Sequence, residues 1–313
     1  MNPLQKIGAF TAALGVAFGT AYGVGAAIGP VGSDPAPAAH GEPQEPAAST
    51  SGPLVPAGLQ VSEGGHTLDL RTTALTAGRP GTLEFVVRDA HGEAVTRYET
   101  AHGKQLHLIV ASRDLTTYRH LHPVRTADGT WSTPVDLPAA GAYRVFADFV
   151  PAGAREGLTL GSDLTVTGRY TATAMPAPAS TTTVDGYTVT LDGALSAGGE
   201  SDLTFTVRDD SGTPVTGLQP YLGAYGHLVA LRSGDLAYLH VHPHDEARTG
   251  TAAGPAVSFT ATTPSTGTYR LFLDFKVAGE VHTASFTTEA GIRPTTEPQE
   301  LQEPQKSHST HGH

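Results

Sequence analysis

The chain has 313 residues and a formal net charge of -11 with neutral histidines, and it contains no cluster of lysine and arginine. Nucleic acid is therefore not an expected partner, because phosphate binding needs clustered positive charge. The chain has no cysteine and two methionines, which excludes thiolate sites, blue-copper centres and methionine-rich Cu(I) sites. Any bound metal would be held by histidine, carboxylate or backbone groups.

The composition predicts an all-β protein. The 37 glycines and 23 prolines, together with abundant threonine and valine, favour short strands and turns over helices. After residue 30 the sequence has no sustained apolar period of 3.6 residues, which a helical core would require.

The N-terminal region contains a long segment without charge. Residues 7–32 have no charged side chain, Lys6 precedes them, and the next lysine or arginine is Arg71. Such a run can span a bilayer, which takes about 20 residues, and the charge asymmetry places the N-terminus in the cytoplasm. We expect a hydrophobic helix that anchors a single-pass membrane protein with extracytoplasmic domains. Alternatively, it is a signal peptide cleaved near Gly25–Ala27, and the protein is secreted.

The middle of the chain is duplicated. HLIVASRDLTTYRHLHP (107–123) matches HLVALRSGDLAYLHVHP (227–243), and GAYRVFADF (141–149) matches GTYRLFLDF (267–275). Six or seven short strands in about 105 residues are typical of a Greek-key sandwich. The sequence therefore predicts two tandem Ig-like or cupredoxin-like Greek-key β-sandwich domains after the N-terminal hydrophobic helix.

Six divisions of the chain are expected from these patterns. They are an N-terminal anchor or signal segment (1–32), a Pro/Ala-rich linker (33–57), the first β-sandwich repeat (58–168), a second linker (169–182), the second repeat (183–289) and a disordered tail (290–313). The tail contains three histidines, His308, His311 and His313, and such His-rich tracts can bind metal loosely.

Local patterns place the strands and turns of each repeat. The two VRD-x-x-G stretches predict hairpins in which Asp89 and Asp209 enter the turn and Gly92 and Gly212 supply a positive φ. Alternation along GAYRVFADF predicts a strand that presents Tyr143 and every second residue after it to the core. The strands expected in the first repeat lie near 66–72, 82–88, 105–112, 130–136, 142–149 and 158–166.

The same spacing of three histidines recurs in both repeats. In a strand, residues i and i+2 point to one face, so an H-x-H pair presents two imidazoles side by side. With a third histidine from a neighbouring strand, both can reach one ion at about 2.0–2.1 Å per bond, which suits Cu(II) or Zn(II) and leaves an open position. The predicted metal ligands are His107, His120, His122, His227, His240 and His242.

Neighbouring polar residues could complete such a site. Asp148 and Asp274 occupy matching positions, where each could orient a histidine through its second ring nitrogen or pair with Arg144 or Arg270. His107 lies on the strand face opposite its apolar neighbours, so its approach to the H-x-H pair depends on the fold. The further candidate ligands are His102, Glu99, His244, His282, Asp148 and Asp274.

The two histidine stretches, HLIVASRDLTTYRHLHP and YLGAYGHLVALRSGDLAYLHVHP, resemble an uncharacterised family of exported bacterial proteins. Its members are similar to heavy-metal-binding and copper-resistance-like (YtkA-like) β-sandwich proteins. The resemblance covers both repeats and the N-terminal segment, and it implies a role with copper. Copper-resistance sandwiches commonly carry Met-rich loops or an N-terminal histidine ligand, and this sequence shows neither.

Three functions remain open from the sequence. The first is an extracytoplasmic, membrane-tethered protein that binds Cu(II) or Zn(II) and buffers the ion or hands it to an unknown transport partner. The second is a structural or adhesive tandem β-sandwich whose histidines serve hydrogen-bond networks. The third is a His-ligated metalloenzyme, although no catalytic motif is present. We therefore predict no catalytic residues and no organic cofactor.

Overall fold

The computed structural model describes residues 56–244, 247 and 253–292, all within one compact unit. The expected N-terminal helix, nearly all of the first linker and the histidines of the tail lie outside the described residues. In the described part every regular element is a β-strand, so the all-β prediction is confirmed. None of the described residues forms a helix of the length and apolarity needed to cross a membrane.

The first repeat is a sandwich of two five-stranded sheets. One sheet has the order β1-β2-β4-β8-β7 and the other β3-β10-β9-β5-β6, with antiparallel pairing except between β3 and β10. The strands are β1 (Ser62–Glu63), β2 (His66–Leu70), β3 (Ala74–Thr76), β4 (Gly81–Arg88), β5 (His107–Ser112), β6 (Tyr118–Leu121), β7 (Val124–Arg125), β8 (Thr130–Val135), β9 (Gly141–Phe149) and β10 (Leu158–Thr167).

The second repeat has the same plan with one strand fewer. Its sheets have the orders β11-β12-β14-β17-β16 and β13-β19-β18-β15. The strands are β11 (Thr181–Val184), β12 (Tyr187–Asp192), β13 (Ser196–Ala197), β14 (Gly199–Arg208), β15 (Gly226–Arg232), β16 (His240–Pro243), β17 (Ala256–Thr263), β18 (Gly267–Val277) and β19 (Glu280–Ile292). The repeated Ig-like sandwich is therefore confirmed.

The predicted hairpin turns are present in both repeats. Gly92 and Gly212 have φ of 81° and 80°, a region that glycine enters without steric cost. The Asp89 side chain accepts hydrogen bonds from the backbone N–H groups of His91 and Glu93 at 2.9 and 3.0 Å. An aspartate that caps its own turn in this way explains why the motif recurs in both copies.

The core of each sandwich forms by strand alternation. Tyr143 and the alternate residues that follow it in β9 are buried between the sheets of the first repeat, as predicted, and Tyr269 begins the equivalent row in the second. Each tyrosine hydroxyl donates a 2.8 Å hydrogen bond to the carbonyl four residues earlier, at Ala139 or Ser265. The buried polar end of each ring is thereby satisfied.

The opposite faces of β5, β9, β15 and β18 are buried as well. Every residue of β5 is buried, because the second face of this sheet packs against the second repeat. These outer faces form an apolar cluster that joins the two sandwiches. Its buried members are Ile109, Ala111, Leu115, Tyr118, Phe146, Val229, Leu231, Leu236 and Phe272.

Candidate metal centre between the two repeats

His107 and His227 hold equivalent positions on the faces that meet between the repeats. His107 in β5 is paired in register with Asp148 of β9, and His227 in β15 is paired with Asp274 of β18. Strand alternation keeps these side chains out of both sandwich cores. The two imidazole rings lie nearly parallel, with their centroids 5.4 Å apart and an interplanar angle of 11°.

Aromatic contacts around this pair are reciprocal. Tyr118 of the first repeat stacks on Phe272 of the second, with ring centroids 4.1 Å apart, and Tyr238 of the second lies 5.7 Å from Phe146 of the first. The same pair of residue types therefore meets in both directions, as in an isologous dimer interface, although the first pair is stacked and the second is tilted by 51°. This local pseudo-twofold relation explains why equivalent histidines meet.

His120 connects the first repeat to the second. Its ring comes from β6, which pairs with β5, and its Nδ1 lies 2.7 Å from Oδ2 of Asp274. Its Nε2 lies 3.1 Å from Nδ1 of His107, whose own Nε2 lies 3.2 Å from the carbonyl oxygen of Ala101. Each of the two rings therefore has one nitrogen directed at an oxygen acceptor and the other directed at its neighbour.

These contacts fix the tautomers of the two rings. The carbonyl of Ala101 can only accept, so Nε2 of His107 carries the hydrogen and Nδ1 presents its lone pair. The carboxylate of Asp274 likewise accepts from Nδ1 of His120, so a neutral His120 presents its lone pair at Nε2. Two lone pairs then face each other at 3.1 Å. This arrangement is stable when a cation, either a proton or a metal ion, lies against both nitrogens.

The spacing fits two ligands of one transition-metal ion. With bonds of 2.0–2.1 Å, a 3.1 Å separation corresponds to an N–metal–N angle of about 98°. That value lies between the right angle of square-planar sites and the tetrahedral angle. His227 supplies a third nitrogen, because His107, His120 and His227 each have a candidate ligand atom within 4.8 Å of those of the other two.

Two more histidines border this group. His122 lies beside His120 with ring centroids 4.9 Å apart, and its buried Nε2 has no hydrogen-bond partner among the described residues. His102 lies 5.9 Å from His227, again between ring centroids. A cavity of about 20 Å³ borders His102 and His227, which is room for about one water molecule.

Burial favours the neutral form of three of these imidazoles, those of His107, His122 and His227. Burial, with His120 nearby, lowers the pKa of His107 to about 3, and it lowers the pKa of His122 to about 4. The pKa of His227 is held well below its ordinary value, first by burial and then by His120. Because a metal ion binds the unprotonated imidazole, these shifts favour the ligand form.

The two aspartates of F-x-D-F have different partners. Asp274 accepts hydrogen bonds from His120 and, at 2.6 Å, from Thr283, so it orients a histidine of the other repeat. Asp148 accepts a 3.0 Å hydrogen bond from Thr159, and burial raises its pKa. Arg144 donates instead to Asp163 and to backbone carbonyls, so its pairing with the aspartate of its own strand is not observed.

The other candidate ligands lie elsewhere in the described structure. Glu99 accepts a hydrogen bond from the backbone N–H of Gly153, which is a turn contact. His282 lies 2.9 Å from Asp185, and the exposed His244 lies 2.7 Å from the Thr260 hydroxyl. Each of these contacts joins residues of a single repeat.

The second H-x-H stretch follows a different path from the first. β6 pairs with β5, whereas β16, which carries His240 and His242, pairs with β17 in the opposite sheet. The His240 side chain lies outside the described part of the structure. The structure therefore brings the three histidines of the first repeat together with one ring of the second. No sequence pattern predicts that the two repeats share this cluster. The one local signal is the unbroken apolar run after His107, which is typical of a strand buried on both faces.

Fold and site together define a tandem β-sandwich protein with a histidine cluster between its two sandwiches. Residues 60–165 and 182–291 each match a family described as a domain of unknown function, DUF8832. The chain belongs to this family and carries two tandem copies of the domain. The comparisons do not support the resemblance to YtkA-like or copper-resistance proteins, and no curated protein matches the chain.

Several solved structures are similar to parts of the chain. The adhesin FdeC of Escherichia coli is 20% identical, covers 74% of this chain and has a TM-score of 0.24; this chain spans 65% of its length, less than two thirds. Invasin, a bacterial integrin-binding protein, is 15% identical with coverages of 73% and 40% and a TM-score of 0.23. Domains 4 and 5 of the S-layer protein SbsC are 13% identical, with coverages of 74% and 98% and a TM-score of 0.23. Likeness at this level carries no information about function.

Proposed function

We propose that the protein binds one Cu(II) or Zn(II) ion at the histidine cluster between its sandwiches, and that it buffers this ion or hands it to a partner protein. The observation that carries the proposal is the pair of ring nitrogens of His107 and His120, 3.1 Å apart. Each ring has its other nitrogen held by an oxygen acceptor, an arrangement common around metal-binding histidines. Three imidazoles without thiolate or thioether suit Cu(II) or Zn(II).

An extracytoplasmic position is part of this proposal. It is supported by the uncharged segment 7–32 with Lys6 before it, which is typical of an anchor or signal segment. Because no cysteine takes part, the imidazole ligands would not be lost to disulfide formation in an oxidising extracytoplasmic environment.

Equilibrium dialysis against Cu(II) and Zn(II) tests the proposal. All proteins carry alanine at the three tail histidines, so that the tail contributes no ligand. We expect one bound ion per chain, loss of that ion in His107→Ala/His120→Ala, and retention in His282→Ala. His282 is the matched control because it is also a buried histidine beside an aspartate. Unchanged stoichiometry in the double variant would contradict the proposal.

A structural or adhesive module is the second candidate. The observation that favours it is the apolar cluster between the repeats, which includes the stacked rings of Tyr118 and Phe272 and joins two sandwiches into one compact unit. In this case the histidines serve the interface alone. Replacing His107 and His120 would then lower the melting temperature, while added metal would leave the melting temperature of the unaltered protein unchanged.

A further inference from the structure

The proposed ligands come from both repeats. His107 and His120 belong to β5 and β6 of the first repeat, whereas His227 belongs to β15 of the second. The contact that orients His120 also crosses the interface, because Asp274 lies in β18. Neither repeat contains this ligand set by itself, so the site exists only while the two sandwiches are docked.

We infer that metal binding and docking of the two repeats are one coupled equilibrium, in which the ion clamps the sandwiches together and Asp274 positions His120 across the interface. The inference rests on the proposed metal-binding function and extends it to the arrangement of the domains. A ligand that binds the docked form more tightly than the open form must, at saturation, stabilise docking by the same factor by which docking improves its affinity.

The interface has two parts that respond differently to the ion. The apolar part, around Phe146 and Phe272, contains no candidate metal ligand among its described residues. The histidine part places the ring nitrogens of His107 and His120 face to face and leaves Nε2 of His122 buried without a partner among the described residues. Buried polar groups without partners disfavour a packed state. A bound cation satisfies the facing nitrogens, so it strengthens the part of the interface that is otherwise weak.

The size of the coupling follows from linkage. At a free-ion concentration of 100 times the dissociation constant, an ion that binds only the docked form shifts the docking equilibrium by about 100-fold. Such a shift converts a partly open metal-free population into a docked one. The measurable consequence is a narrower distribution of distances between the two sandwiches.

Asp274 and Asp148 form a matched pair for testing the positioning role. Asp274 uses one carboxylate oxygen for His120 and the other for Thr283, so an asparagine removes the negative charge beside Nδ1 of His120 and replaces one of the two acceptor oxygens with an NH2 donor. Asp148 has Thr159 as its side-chain hydrogen-bond donor, which an asparagine can retain. We expect Asp274→Asn to weaken the ion affinity by about 10–100-fold with one ion still bound at saturation. Asp148→Asn leaves the affinity unchanged.

Because the chain contains no cysteine, a spin label can be attached to each repeat through an introduced cysteine, and the distance between the repeats can then be measured. Glu84→Cys in β4 and Glu200→Cys in β14 lie at exposed strand positions, one in each repeat, and both can carry a nitroxide label in the full chain. Pulsed electron paramagnetic resonance then gives the distance distribution between the repeats, and Zn(II) is used because it is diamagnetic. We expect one equivalent of Zn(II) to narrow the distribution, and His227→Ala to remove this narrowing.

The outcomes separate the inference from the function on which it rests. If dialysis shows one bound Zn(II) and the distribution is unchanged, the clamp is overturned while metal binding stands. If no Zn(II) binds, the proposed function fails and the clamp fails with it. If Asp274→Asn and Asp148→Asn bind Zn(II) with equal affinity, the positioning role of Asp274 is overturned. A carboxylate with a merely structural role would leave the ion affinity unchanged when it is replaced.

Discussion

The metal-free protein should lose stability in mild acid, because burial disfavours the protonated forms of His107 and His227 in the folded state. His107 is 3% exposed and burial lowers its pKa to about 3, whereas histidine in an unfolded chain has a pKa of about 6.5. Between these values the unfolded chain binds a proton that the folded chain does not, so the free energy of unfolding falls as the pH falls. The contribution of His107 is fully present above about pH 6.5 and is lost progressively toward its folded pKa.

The expected magnitude follows from the size of the shift. One pKa unit corresponds to about 1.4 kcal/mol. At pH 4.5, which is about two units below the unfolded value, His107 alone should lower the free energy of unfolding by roughly 2–3 kcal/mol relative to pH 7.5. His227, whose pKa burial also holds well below its ordinary value, acts in the same direction.

Urea unfolding in the presence of a chelator measures this effect. The quantity of interest is the difference in the free energy of unfolding between pH 7.5 and pH 4.5, which removes any constant cost of the substitution. In His107→Gln this difference should shrink by roughly 2–3 kcal/mol, while in His91→Gln, a change in an exposed turn, it should equal that of the unaltered protein. The same difference in His107→Gln and the unaltered protein would refute the reasoning.

Three further substitutions probe the interface and the backbone around it, each by chemical denaturation. Phe272→Ala removes the ring that stacks on Tyr118 and should cost about 3–5 kcal/mol, with weaker ion binding in dialysis. Tyr118→Phe removes a buried hydroxyl that has no partner among the described residues, so stability should stay equal or rise by about 1 kcal/mol; a clear loss would show that the hydroxyl is satisfied. Gly161→Ala would place a Cβ 2.0 Å from the carbonyl oxygen of Gly58 and should lower the free energy of unfolding by about 2 kcal/mol or more. The control is Gly157→Ala, which should leave stability nearly unchanged because its Cβ would meet an ordinary contact at 3.8 Å.

Local sequence patterns predicted much of the fold correctly. The six strands expected in the first repeat are all present, and the Asp89 turn forms as its motif indicates. These features depend on alternation and on turn chemistry within a few residues, so a single sequence carries them. Absence of cysteine also restricted any metal site to imidazole and oxygen ligands. His107, His120 and His122, which share a recurring spacing, lie close together in the structure, and their role as metal ligands stays a prediction.

Tertiary structure alone decided which histidines meet. His120 and Asp274 are 154 positions apart, and no local pattern relates them. The stretches YRHLHP and YLHVHP are nearly alike, yet β6 stays with β5 while β16 pairs with β17. Strand pairing is chosen by competition among partners distant in the sequence, and the histidine cluster forms on the face of His107 because the second repeat covers that face. A shared site of this kind follows from how two sandwiches pack, which no single stretch of sequence specifies.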